Sequence, residues 1–246
     1  MKASILKTVC LFFIAAGSLA AASQVLVVVT NHGRLADTGE PTGYYLSEVA
    51  HPWHVFREAG YSVHFASPLG GYAPMDPKSF DLDDPVNKKF WHTLEAVEGV
   101  VSTRDLIGID PEAYDAVFFA GGHGTMWDFP GSGAVAGTIA AIYEGGGVIA
   151  AVCHGPAALV GVEVDGEALV KGKRVAGFTN AEEDAVGLTD EMPFLLQTKL
   201  EELGADFVSA PNFEENVVVD GRLVTGQNPA SAKAAAEAVV KLLRGD

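Results

Sequence analysis

Five consecutive apolar residues, Val148–Val152, run directly into Cys153-His154-Gly155-Pro156, and this junction constrains the fold more than any other stretch. The run reads as a buried strand, and Gly155 and Pro156 open an Ala-rich stretch that reads as a helix. Cys153 thereby falls on a sharp strand-to-helix turn, the position from which α/β enzymes present a nucleophile. A helix N-terminus there favours the thiolate, and the small neighbouring residues leave room for a substrate. The alternative is a buried, inert cysteine at a strand end. The adjoining histidine favours the reactive reading.

Apolar, β-branched runs of the same kind recur along the chain between segments of helical periodicity. Strands are predicted over residues 24–30, 61–66, 115–120, 148–152 and 174–178. Helices are predicted over 44–59, 87–96, 135–143, 193–203 and 230–243. Residues 216–219 and 222–225 flank Asp220-Gly221, a strong hairpin signal. Residues 67–85, rich in Gly and Pro, read as a long loop of the functional kind. No repeat or linker interrupts the pattern, so residues 24–246 read as one α/β domain with a mostly parallel sheet and helices on both faces. Sites in such sheets form at the carboxyl ends of strands, where Cys153 and Gly121-Gly122 both lie.

Residues 1–23 read as a signal peptide that is removed. Lys2 and Lys7 supply a basic start, residues 9–16 an apolar core too short to span a bilayer, and 18–22 small-residue cleavage sites. The expected location is therefore secreted or periplasmic. Cys10 goes with the leader, leaving Cys153 as the one cysteine of a chain that must rest on its core without disulfides. Losing Lys2 and Lys7 takes the formal charge from −16 to −18. Such a surface should repel nucleic acid and anionic membranes, and neither is expected as a partner.

A nucleophilic thiol needs a base, a group that orients the base, and donors for an oxyanion. His154 is the candidate base; consecutive side chains at a turn diverge, so it can instead face a carboxylate and act at a distance. Gly121 and Gly122 end a strand, and their backbone N–H groups can approach a ligand, or else the turn simply needs glycine torsions. Glu48 interrupts an apolar segment; desolvation there would raise its pKa and suit proton transfer, whereas a solvated helix position would not. Glu182, Glu183 and Asp184 are an acidic turn from which one residue could orient His154. His51 and His54 lie three apart and His32, His64 and His92 are scattered, without an H-x-x-x-H or Cys/His cluster, so neither a metal nor another cofactor is expected.

Three segments resemble the ThiJ/PfpI superfamily: Ala151-Val152-Cys153-His154-Gly155-Pro156, Ala120-Gly121-Gly122-His123-Gly124, and residues 225–231. Within it, residues 42–48, 66–71 and 177–180 resemble the heat-shock-protein-31-like branch, which contains glutathione-independent glyoxalases and chaperones. The resemblance implies a flavodoxin-like three-layer fold, often dimeric, with Cys153 as nucleophile, Glu48 as its acidic partner and His154 as the triad histidine. It implies Glu183 as the third triad member, or Glu182 if the alignment slips by one. The implied activity is conversion of methylglyoxal, a small aldehyde, to D-lactate. A holdase chaperone, a cysteine peptidase or amidase, and a protein deglycase are the alternatives. Most members of the superfamily are cytoplasmic, and the leader departs from that pattern.

Overall fold

The computed structural model describes residues 23–36 and 38–246; the leader expected over residues 1–23 lies outside them apart from Ser23. The strands are β1 Gln24–Val28, β2 Ser62–Ser67, β3 Arg104–Asp105, β4 Ala116–Phe119, β5 Val148–Val152, β6 Glu163–Val164, β7 Glu167–Ala168, β8 Arg174–Val175, β9 Asp206–Phe207, β10 Val217–Asp220 and β11 Leu223–Gly226. The helices are α1 Leu46–Glu58, α2 Pro85–Trp91, α3 Leu94–Val101, α4 Thr125–Asp128, α5 Gly133–Glu144, α6 Asn180–Val186, α7 Leu196–Glu202 and α8 Ala232–Arg244. Seven strands form the main sheet in the order β10-β11-β5-β4-β1-β2-β3, parallel throughout except for β10.

The central strands read as unbroken apolar runs because both of their faces are buried. Val25 and Val27 of β1 pack on one side with Leu46, Val49, Trp53 and Phe56 of α1 and with Val239 of α8. Leu26 and Val28 pack on the other with Val135, Ile139 and Ile142 of α5 and with Leu196 and Leu200 of α7. This is the expected three-layer sandwich. In its middle, β5, β4 and β1 lie side by side, and their carboxyl ends open toward the same edge of the sheet.

Several expected elements differ. The stretch after Cys153 is a 3-10 turn, Gly155–Leu159, and not an α-helix. All five of its residues are buried, so the chain turns into the core. The helix expected over 87–96 is two helices broken at His92-Thr93, because Phe90 of α2 packs edge-on against Trp53 and Phe65 while α3 buries Ala96 and Val100. Of the strand expected over 174–178 only β8 forms, paired with β9 outside the main sheet. Beyond it the backbone is held by the site: Ala176 N–H donates to Thr225 Oγ1 at 2.8 Å and Phe178 N–H to the Cys153 carbonyl at 2.8 Å. The hairpin is present, but Asp220 pairs with Leu223, so Gly221 and Arg222 make the turn, with Gly221 at φ +60°.

Candidate active site

Cys153 leaves β5 with φ +59°, in the left-handed region that a side chain normally avoids. Such a conformation costs on the order of 1–3 kcal/mol and persists only where its surroundings enforce it. Here the Cys153 N–H donates to the Gly226 carbonyl at 2.9 Å, while its own carbonyl accepts from Phe178. The expected sharp turn at Cys153 is therefore present, and strained, although no α-helix follows it. The thiol is 3% exposed.

The loop after β4 comes within van der Waals limits of the elbow, and glycine alone permits this. A Cβ on Gly121 would lie 2.7 Å from Glu48 Oε2, from the His154 nitrogen and from the Val152 carbonyl. Gly122 sits at φ +100°, and a Cβ there would strike the Gly43 carbonyl. The two glycines divide the work expected of both. Gly121 N–H donates to Glu48 Oε2 at 2.7 Å, so it holds a carboxyl group and is not free to serve an oxyanion. The backbone N–H groups of Gly122 and His154 lie near the Cys153 sulfur and favour its ionised form. Thr125 Oγ1 bonds both the Gly122 and the His154 carbonyls at 3.0 Å, fixing these two donors relative to each other.

Glu48 is wholly buried on α1. Its helix starts under a clamp from the loop 67–85: Leu46 N–H donates to Ser79 Oγ at 3.0 Å, and Tyr44 N–H to the Pro74 carbonyl at 2.9 Å. Besides the Gly121 bond to Oε2, the Glu48 carboxyl touches the Cys153 thiol, and Oε1 has no well-aligned partner. Burial outweighs the bonds from Gly121 and Cys153 and pushes its pKa up to about 8. Burial and the Glu48 carboxyl together drive the Cys153 thiol above its usual range. The pair is thus protonated at neutral pH, contrary to the thiolate that a helix N-terminus would have favoured.

His154 is fully buried and turns its two nitrogens to different partners. Nδ1 lies 3.5 Å from Cys153 Sγ, and Nε2 lies 2.7 Å from Glu183 Oε2. Burial, reinforced by the neighbouring His123, lowers its pKa and keeps the ring neutral. Glu183 Oε1 meets a second imidazole, His123 Nε2, at 3.0 Å. Burial alone would raise the Glu183 pKa, but the bonds from His123 and His154 hold it at about 2. Glu182, one residue away, points elsewhere: it forms a capping box with Thr179 and accepts from Phe213 N–H and Asn228 Nδ2. Geometry therefore selects Glu183 over Glu182 as the partner of His154.

His123, His154 and Glu183 bring three donor atoms within 4.8 Å of one another, a set able to hold a divalent cation. The protons on both Nε2 atoms already bind the carboxylate, and a cation would have to displace both. No local spacing marks this cluster, because its members come from the loop after β4, the turn after β5 and α6. His123 was missed for that reason; its one signal is a histidine within the glycine loop at a strand's carboxyl end. A surface cavity of about 610 Å³ lies at the amino ends of β4 and β5, beside Tyr114, Asp115 and Gly147, at the opposite end of the strands from Cys153. It has none of this chemistry.

Residues 41–242 match the DJ-1/PfpI family. The chain is 35% identical over 239 residues to the glutathione-independent glyoxalase hsp3102 of Schizosaccharomyces pombe, covering 90% of this chain and 97% of that one. It is 34% identical over 234 residues to glyoxalase 3 of Candida albicans, covering 88% and 97%. The crystal structure of glyoxalase III from Candida albicans superposes with a TM-score of 0.83 at 33% identity, over 89% of this chain and 96% of that one. With a family match over residues 41–242 and relatives more than 30% identical over most of its length, the chain belongs to the DJ-1/PfpI family.

Proposed function

We propose that this protein is a glutathione-independent glyoxalase that converts methylglyoxal and related α-oxoaldehydes to 2-hydroxy acids. The observation that carries the reading is Glu48: a buried carboxylic acid, protonated near neutral pH, in contact with the nucleophilic thiol. Hydrolysis through a thiol, base and carboxylate needs no such group. Transfer of a proton between adjacent carbons does, and a pKa near the working pH suits it. The burial of Cys153 also favours a substrate of a few heavy atoms over a polypeptide.

Cys153 Sγ attacks the aldehyde carbon while its proton passes to His154 Nδ1. The aldehyde oxygen, facing the Gly122 and His154 N–H groups, takes the Glu48 proton to give a hemithioacetal. The Glu48 carboxylate then removes the proton from that carbon, and the electrons form a carbon–carbon double bond. The neighbouring ketone oxygen takes up the proton held by His154. Glu48 returns its proton to the second carbon, and the first hydroxyl releases its own to Glu48, leaving a Cys153 thioester. Water cleaves the thioester to lactate and free thiol. The leader-like start of the chain extends the reading to an enzyme that works outside the cytoplasm.

The decisive experiment supplies methylglyoxal without glutathione to the protein, to Cys153→Ala and to Glu48→Gln, and assays D-lactate. Turnover that both substitutions abolish is expected. No lactate from the unsubstituted protein with its thiol reduced would overturn the reading.

A further inference from the structure

We propose that His123 is a positioning residue of this site: it clamps Glu183 so that the carboxylate holds His154 in a single tautomer and ring orientation, with Nδ1 aimed at Cys153. Its activity arm rests on the glyoxalase reading; its structural arm does not.

The hydrogen-bond pattern leaves one consistent proton assignment. An ionised carboxylate only accepts, so the Nε2 atoms of His123 and His154, at 3.0 and 2.7 Å from its two oxygens, must both carry hydrogen. A neutral His154 ring with hydrogen on Nε2 has a bare lone pair on Nδ1, the atom 3.5 Å from the sulfur. The bond from His154 occupies only Oε2. Oε1 has His123 as its hydrogen-bond partner among the described residues, in a side chain that is 4% exposed. Removing that donor leaves half of a buried carboxylate unpaired, which favours its rotation away from His154.

His123 also forms one wall of the ring it helps to orient. Its centroid lies 4.2 Å from that of His154 at 40°, and Phe178 packs against His154 at 4.5 Å. His154 is thereby confined by two neighbouring rings, and His123 is the outer of the two imidazoles, with its side chain 16% exposed. A surface histidine that merely tolerated its place would need neither the bond nor the ring contact.

The test separates donor from bulk. His123→Phe keeps a ring without a donor, and His123→Gln keeps an N–H near the position of Nε2 without a ring. The ¹⁵N NMR spectrum of the His154 imidazole is recorded for the full chain and both variants, alongside kcat and KM for methylglyoxal. The unsubstituted protein and His123→Gln should show one Nε2-protonated tautomer. His123→Phe should show a mixture, with kcat reduced about 10–100-fold and KM nearly unchanged, as for a misplaced reacting group. If His123→Phe does not fold, His123→Ala takes its place. A single tautomer in the donorless variant, or a His123→Gln variant that behaves like it, overturns the proposal. A tautomer shift without any lactate formation by the unsubstituted protein would sustain the proposal while sinking the glyoxalase reading.

Discussion

Two buried glutamates approach the Cys153–His154 unit, and the fold drives them to opposite charge states. Glu48 is pushed up to about 8, and Glu183 is held at about 2. Depth does not distinguish them, since Glu48 is 0% exposed and Glu183 only 3%. Donors do. Glu48 receives one backbone N–H and leaves Oε1 without a well-aligned partner, whereas each Glu183 oxygen receives an imidazole N–H. In the proposed reaction one carboxyl serves as proton carrier beside the sulfur and the other as a fixed charge behind the base, the separation of roles that acid–base sites require.

Exchanging the roles breaks the comparison most severely. Glu48→Gln, which cannot move a proton, should lower kcat/KM for methylglyoxal by about 10³-fold or more, within the usual range for lost acid–base catalysis. Glu183→Gln, which only unsettles the orientation of His154, should cost about 10–10²-fold, as for a misplaced catalytic group. Equal losses in steady-state kinetics would erase the distinction between carrier and anchor.

Stability should separate the two glutamates along the pH axis. The Glu48 pKa is raised, so its contribution is fully present below the ordinary 4.5 and is lost as pH rises through about 8. At about 1.4 kcal/mol per unit, urea unfolding between about pH 5 and about pH 8 should cost the protein about 4 kcal/mol relative to Glu48→Gln. The Glu183 pKa is lowered, so its contribution is present above 4.5 and is lost as pH falls toward about 2. Its loss amounts to up to about 3 kcal/mol, absent in Glu183→Gln. Parallel pH curves for protein and variants would show that both carboxyls titrate normally.

Turnover should follow the same division. The kcat/KM profile should be bell-shaped, falling about tenfold per pH unit above about 8 as Glu48 loses the proton it gives to the oxyanion. Its acid limb should lie below about 6.5, where His154, whose pKa is lowered by burial and by His123, becomes charged. An acid limb above that value would assign the base elsewhere.

The smallest expected effect concerns how Glu48 is held. Ser79 Oγ accepts from Leu46 N–H at 3.0 Å and donates to the Asp76 carbonyl at 2.6 Å, tying the long loop to the start of α1. Ser79→Ala should lower stability by about 1–3 kcal/mol in urea unfolding, the usual cost of unpaired buried groups. It should lower kcat/KM only a few-fold. A loss of activity with no loss of stability would mean that the loop does more than hold the helix.

The elbow, the central strands, the apolar face of α1 and the two-stranded hairpin were legible in the amino-acid sequence because each is written in contiguous spacing. Five apolar residues before Cys153 encode a strand buried on both faces, and Leu46, Val49, Trp53 and Phe56 encode one side of a helix. Glu48 stood out for the same reason, as a charge inside that pattern. Two exposed residues sufficed for β3, which left no apolar trace. The break at His92-Thr93 arose because α2 and α3 pack different faces, which local propensity does not record.

What the sequence by itself determined is where a nucleophile could stand and which acid is out of place, since burial imposes a period on neighbouring residues. Only the tertiary structure decided how the charges are shared. Glu182 and Glu183 are adjacent on α6, yet the capping box at Thr179 takes one and His154 the other. Gly121 and Gly122 are adjacent after β4, yet one N–H binds Glu48 and the other lies near the sulfur and favours its ionised form. His123 reaches Glu183 across 60 positions of the chain. Hydrogen bonds between distant segments leave no period in sequence, and their number and direction set which buried group keeps its proton.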